Sequence, residues 1–429
     1  MIHRVRIKNF KLHKDTDLPL RKVSMFIGPN GSGKSSIGQI LSVLRQASDG
    51  GGGAFFNMTH RQQITTEQPF LYPTDYIDIG RIEDVRRSPD HGIDVEIDGE
   101  CLLPSAQPML QCELKLAFSI EDIFFMKHHG AIDTNMGKVK WSFDRGGHHE
   151  SSSLIQGSVS GVFESQPRFP LLRANIVSTS NVATEEFQAA YRLFSDVANA
   201  PSLLLQSISG GYAIRGFEES GLPLPTRLPP RIGYSTLTDR SQAIVAHLAQ
   251  NRGLEDSLNA WFADIGKEWG IRIQCEIKER HQVAVRVIKG GQNRPFLTEG
   301  SGVGQIPFLL THVALTPKGG TVILPEPEAH LHPKAQVNLA SFLTRVASEE
   351  RKQFIIETHS EHVLHGILMA VKKGVLRPDE VGIYYFEAEE DTCKTTRLEV
   401  DHMGKVAGGL PGFFEQDVQE LWDVLNVSA

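Results

Sequence analysis

The stretch VSMFIGPNGSGKSSIGQIL, residues 23–41, constrains the fold more than any other part of the chain. An apolar run enters a turn with glycine at 28, 31 and 33. Ile37, Ile40, Leu41 and Leu44 then recur at helical spacing. Strand, glycine-rich turn and helix, in that order, form the context in which GxxxxGKS binds phosphate. The glycines let the backbone curl so that its N–H groups point inward, and the helix adds its positive N-terminus. Lys34 reaches the β- and γ-phosphates, and Ser35 offers a hydroxyl to Mg2+. A glycine turn with an exposed lysine is the plainer alternative, and the flanks disfavour it.

A second stretch, TVILPEPEAHLHP at 321–333, ends an apolar run where an acid for the metal would be expected, but the position holds Pro325. Proline neither binds metal nor donates a hydrogen bond. Glu326 is one residue on and faces the opposite way along a strand, unless the strand has already ended. Mg2+ keeps several waters and needs few protein ligands, so Ser35 and phosphate oxygens suffice to hold it. Downstream, FIIETHS at 354–360 is a buried strand that delivers Thr358, His359 and Ser360 at its C-terminal end, where ligands sit in open α/β sheets. The glycine turn EGSGVGQIPFL at 299–309 opens a helix and presents N–H groups to an anion, a weak signal by itself.

Other clusters have plainer readings. His359, His362 and His365, and separately His330 and His332, suggest metal, but zinc sites want ligand pairs with a further acid or cysteine. Asp94, Glu96 and Asp98 share one face of a strand and would suit nuclease metals. The wet face of an antiparallel strand is the simpler account.

A chain of 429 residues, 40% hydrophobic and 22% charged, holds one large α/β domain with an insertion, or two to three domains. Cys101, Cys112, Cys275 and Cys393 form no CxxC pair, which argues against structural zinc or a disulfide framework and fits a reducing compartment. The charged start MIHRVRIKNFKLHKD is unlike a signal peptide, and no apolar run reaches about 18 residues, so a cytoplasmic chain without membrane contact is expected. A net charge of -7 does not by itself suggest nucleic acid. The acidic tail with Glu415, Asp417, Glu420 and Asp423 reads as solvated or partner-facing. DGGGGAFF at 49–56 is a flexible break, and GLPLPTRLPPRIG at 221–233 is a linker. Residues 70–170 read as an antiparallel sheet, 183–201 and 240–270 as helices, and the chain from about 300 as alternating helices and buried strands.

Taken together, RVRIKNFKLHKD, MFIGPNGSGKSS, GSGVGQ, VILPEPEAHLHP and ETHSEHVL resemble, in that order, ABC-type ATPases of the AAA-15/AAA-21 kind, relatives of the OLD, RecF and structural-maintenance ATPases. The ending VGIYYFEAEEDTCKTTRLEVDHMGK is similar to the C-terminal domain of one branch. The resemblance implies an α/β fold with a mixed central sheet. It has an N-lobe with an antiparallel sheet over 1–180, a helical lid insertion over 181–270 and a C-lobe over 271–429. It also implies ATP and Mg2+ as cofactors. Asn30, Gly31, Ser32, Gly33, Lys34, Ser35 and Ser36 are the phosphate loop, and Ser35 is the metal ligand. Glu326 is the water-polarising acid and His359 the switch histidine. AHLHP at 329–333 crosses to a partner subunit, and Gly302 to Gln305 stand in for the signature, where Gly304 departs from the usual serine unless Ser301 takes that role. ATP is expected to lie between the phosphate loop of one subunit and the signature of the next, in a homodimer or higher oligomer. The implied role is a slowly hydrolysing, nucleotide-gated switch for an effector, a nuclease or toxin, in anti-phage defence, with DNA as a further partner. Alternatives are a non-hydrolysing ATP-bound scaffold caging an effector, a DNA-repair ATPase of RecF type, and a nuclease using Asp94, Glu96 and Asp98.

Overall fold

The computed structural model describes residues 1–49, 82–104, 110–121, 126–144, 151–156, 158–166, 171–178, 184–210, 222–223, 237–266, 269–278, 282–296 and 299–409. The glycine break at 50–53, most of the linker at 221–233, and Glu415, Asp417, Glu420 and Asp423 lie outside those residues.

The chain starts with strands β1 (Ile2–Phe10), β2 (His13–Pro19) and β3 (Val23–Ile27), then helix α1 (Lys34–Asp49) and the short α2 (Ile82–Val85). Strands β4 (Ile93–Leu103), β5 (Leu110–Ile120), β6 (Met126–Thr134), β7 (Gly137–Phe143), β8 (Ser151–Gln156), β9 (Val159–Ser165) and β10 (Leu172–Ser178) follow. Next come α3 (Thr184–Gln206), β11 (Ile208–Gly210), β12 (Leu222–Pro223), α4 (Leu237–Gln250), α5 (Arg252–Ile265), β13 (Ile271–Lys278), β14 (Gln282–Lys289) and β15 (Gln292–Pro295). The last part runs α6 (Ser301–Leu315), β16 (Thr321–Pro325), α7 (Pro333–Glu349), β17 (Gln353–Glu357), α8 (Glu361–Lys372), β18 (Val381–Glu389) and β19 (Thr392–Leu398).

The unalternating apolar runs become the middle of one sheet, as burial on both faces requires. Its order is β11-β16-β17-β3-β18-β19, with β11 through β18 parallel and β19 antiparallel. Successive residues face opposite sides of the pleat, so the sheet separates two cores. Phe26, Ile323, Ile355, Tyr384 and Phe386 join the core that includes α1, α3 and the N-lobe strands. Met25, Ile27, Val322, Leu324, Ile356 and Ile383 join the core that includes α5, α6, α7 and α8.

The antiparallel N-lobe sheet runs β2-β1-β4-β5-β6-β7, beside a three-stranded sheet β10-β9-β8. In β4, Ile93, Val95 and Ile97 are fully buried, and the alternate acids point outward. Asp94 accepts from the Ser119 hydroxyl at 2.6 Å, while Glu96 and Asp98 pair with Arg4 at 3.3 and 3.5 Å. The three carboxylates thus serve as the polar face of a sheet. Cys101 and Cys112 are register partners across β4 and β5, with free thiols 3.3 Å apart.

The region expected as a helical lid is shared between the cores. α3 packs on α1, β4 and β10, and β11 forms the edge of the central sheet. α4 and α5 pack on β13 and α6. The helix expected over 240–270 breaks because the Asn251 side chain accepts from Leu254 N at 3.1 Å and caps a new helix.

Inside the N-lobe, His128 is 2% exposed. Its Nε2–H donates to Gln166 O at 2.7 Å, and its Nδ1 accepts from Trp141 Nε1 at 3.2 Å, which assigns the neutral tautomer. Burial pulls its pKa from 6.5 to about 4. The unfolded chain therefore binds a proton that the folded one refuses, and stability falls as pH drops from 6.5 toward 4. The expected loss between pH 7 and 4.5 is about 2 kcal/mol, read by urea unfolding at those two pH values. His128→Gln is expected to flatten part of that slope, and an unchanged slope would assign it to other groups.

Candidate functional site

The phosphate loop joins β3 to α1 as the sequence requires. Gly28 has φ +139°, and a Cβ there would overlap the carbonyl oxygen of Phe386 on β18, so only glycine fits. Asn30, Gly31 and Ser35 are exposed at the mouth, Gly33 is partly buried, and Ser32, Lys34 and Ser36 are buried. His13 Nε2 lies 3.0 Å from Gly33 O and props the turn from β2. The Lys34 ammonium donates to Gly28 O at 2.8 Å and Pro29 O at 2.6 Å. Burial draws its pKa below the ordinary value, against the pull of Glu357 and Glu326.

The Ser35 hydroxyl donates to Glu357 Oε2 at 2.6 Å. Glu357 ends β17, is 3% exposed, and was passed over in the sequence in favour of Thr358, His359 and Ser360. Burial pushes its carboxyl up to about 7, while Ser35 and Lys34 act the other way. The signal was there to read: an acid closing a strand of otherwise apolar residues is buried without a solvent outlet.

β16 stops at Pro325, and Glu326 turns away with φ +45°. Strand alternation therefore no longer dictates where its side chain points. Glu326 N donates to Glu357 O at 2.8 Å, and its Oε1 stands 3.9 Å from His359 Nε2. Burial and Lys34 hold the His359 pKa below its ordinary value, with Glu326 opposing. The two residues expected to act together are side by side and partly exposed.

Glu328 anchors the next layer. It is 7% exposed, accepts from the Thr358 hydroxyl, and accepts from His359 N at 3.3 Å. Burial raises its carboxyl pKa. Ser360 caps α8 by accepting from Val363 N at 3.1 Å. His332 caps α7, and His362 and His365 lie exposed on α8. Among the described residues no group of three or more His, Cys, Asp or Glu side chains is placed to share a metal ion.

The glycine turn expected as the signature opens α6, with Gly300 at its N-cap and Ser301 exposed. A Cβ at Gly302 would overlap His330 O, and Gln305 Nε2 donates to Ala329 O. The start of α6 is thereby bound to the AHLHP loop of its own chain.

Hard oxygen donors, the Ser35 hydroxyl and the Glu357 carboxylate, meet beside the phosphate loop and suit Mg2+. Two family descriptions match the chain. "AAA ATPase domain" covers residues 1–153, and "AAA domain, putative AbiEii toxin, Type IV TA system" covers residues 168–365. A curated relative, the OLD nuclease of Thermus scotoductus, is 22% identical over 377 residues, or 84% of this chain. The chain spans 59% of that relative's length. Among solved structures, the SMC head domain from Thermotoga maritima covers 93% of this chain and 99% of its own at 11% identity and TM-score 0.40. The Smc head domain with an extended coiled coil, from Pyrococcus furiosus and bound to the C-terminal domain of ScpA, covers 99% of both chains at 12% identity and TM-score 0.42. A phosphate loop far from β16 and β17 in sequence, on a strand that adjoins β17 in the sheet, together with AAA-domain matches over residues 1–153 and 168–365, identifies this chain as an ABC-type P-loop ATPase.

Proposed function

We propose that the chain is an ATP-gated switch for a partner effector, serving in anti-phage defence. In this reading ATP binds at Asn30 to Ser36 and draws two copies together head to tail. Ser301 and Gly302 of each copy then complete the site of the other. The observation that carries the reading is the attachment of Gly302 and Gln305 to His330 and Ala329. A nucleotide that engages the signature turn also pulls on the loop carrying Glu326 and Glu328. The relative named OLD nuclease and the family description naming a toxin support an effector of that kind, supplied here by a partner.

Hydrolysis in this reading is phosphoryl transfer to water. Lys34 and the loop N–H groups hold the phosphates, Glu326 takes the proton of the attacking water, and His359 orients the γ-phosphate. Bound Mg2+ would neutralise charge on the β- and γ-phosphates. Positioning supplies most of the catalysis in such reactions.

Expected from this is an ATP-dependent change from monomer to dimer in sedimentation, reversed as ATP is consumed. A chain that binds ATP and remains monomeric would remove the switch. DNA is a weaker partner in this reading, because the polar face of the N-lobe sheet mixes Arg4, Lys115 and Lys140 with Glu96 and Asp98.

A further inference from the structure

We propose that Glu357 is the carboxylate that holds the metal beside the nucleotide, one strand closer to the phosphate loop than the acid missing at Pro325. The inference rests on the nucleotide-site reading and deepens it. Pro325 and Glu357 are register partners on parallel strands, so their positions lie at the same height of the sheet. β17 lies between β16 and β3, and Glu357 is itself in register with Phe26, two residues before the loop begins at Gly28. Moving an acid from the outer strand to the middle one thus brings it nearer Ser35 by one strand spacing, about 4.8 Å.

The contact has the dimensions of a metal site. Ser35 Oγ and Glu357 Oε2 are 2.6 Å apart. Two neighbouring ligands of an octahedral Mg2+, each about 2.1 Å from the ion, are about 3 Å apart. The ion therefore needs only a few tenths of an ångström of separation between these two oxygens. The Ser35 hydroxyl would keep its proton and turn it aside, so that an oxygen lone pair faces the ion. The space is kept by α1. Gly38 faces the carboxylate, and a Cβ there would come within 3.2 Å of Glu357 Oε1 and 3.0 Å of Ile323 Cγ2. Among the described residues, no other acid hydrogen-bonds Ser35. Glu326 is 53% exposed and turned to His359, and Glu328 is bound to Thr358 and His359 N. A carboxylate 3% exposed is costly to bury, and a divalent ion is the partner that offsets the cost.

The test is the affinity for fluorescently labelled ATP, measured with Mg2+ and with EDTA, in the full chain. Wild type is expected to bind more tightly with Mg2+. Glu357→Gln is expected to lose roughly tenfold or more of the Mg2+-dependent gain, taken as the ratio of the affinities with Mg2+ and with EDTA, the usual weight of a charged contact. Melting curves report whether the variant is folded. Glu357→Asp, which withdraws the charge by one methylene, covers the case in which Gln does not fold, and it too is expected to reduce the gain. A gain equal to wild type in the folded variant overturns the role of Glu357 and leaves the nucleotide site standing. A wild-type chain that binds no ATP under either condition overturns both.

Discussion

Lys34→Ala is expected to abolish ATP binding, a loss of at least about a hundredfold, because a charge-assisted contact to phosphate is worth roughly 3 kcal/mol. The structure adds a second reason. Lys34 donates to Gly28 O and Pro29 O, so its ammonium braces the loop it belongs to. In the proposed reading those donors would turn to the phosphates when ATP enters. Truncation therefore removes the ligand's counter-charge and the brace together. Equilibrium binding of labelled ATP measures the first effect, and thermal melting without nucleotide measures the second. Unchanged affinity in a folded variant would end the assignment of residues 28–35 as a phosphate loop.

Glu326→Gln is expected to keep ATP binding and to lose turnover by about a hundredfold or more, the usual contribution of a positioned general base. The variant should then accumulate as the closed dimer, visible in sedimentation with ATP. Glutamine keeps the shape of the turn, since Glu326 N still donates to Glu357 O. A Gln variant that hydrolyses at the wild-type rate would move the base elsewhere. Glu328 is then the next acid, but its burial and its bond from Thr358 suit it better to holding the loop than to receiving a proton from water.

The phosphate loop was legible because its chemistry is local. Glycines, lysine and serine lie within one turn, and the flanking periods of strand and helix identify the context. The buried strands TVIL and QFII were legible for the same reason, since an apolar run without alternation has one reading in an open α/β sheet. The alternation of IDVEID likewise separated Ile93, Val95 and Ile97 from the acids, which the structure places on a wet face beside Arg4.

What failed to show depends on distance in the chain. Glu357 and Ser35 are 322 residues apart, and nothing in either neighbourhood announces that β17 adjoins β3. The strand Ile208–Gly210 was missed because three residues carry no period at all. It exists because Thr321 to Ile323 offer it an edge. The helix break at Asn251 is a capping event, and a polar residue inside a long apolar period is easily read through. Glu326 was undecided from its sequence because its direction hinges on where β16 ends. The left-handed turn at that residue settles it.

The hairpin of β18 and β19 has a consequence for dissecting the protein. The second family match ends at residue 365, before either strand. Yet β18 is the neighbour of β3 on the side away from β17, its Phe386 backbone presses on Gly28, and Cys393 N on β19 donates to Leu12 O at 2.8 Å. A fragment ended at 365 would turn β3 into a sheet edge, with a row of unpaired backbone groups ready to join another chain. It would also take away the wall against which the loop is folded. Such a fragment is expected to aggregate and to bind no nucleotide, although it keeps every residue from Gly28 to Ser36 as well as Glu357. The smallest piece that retains the site has to run past Leu398.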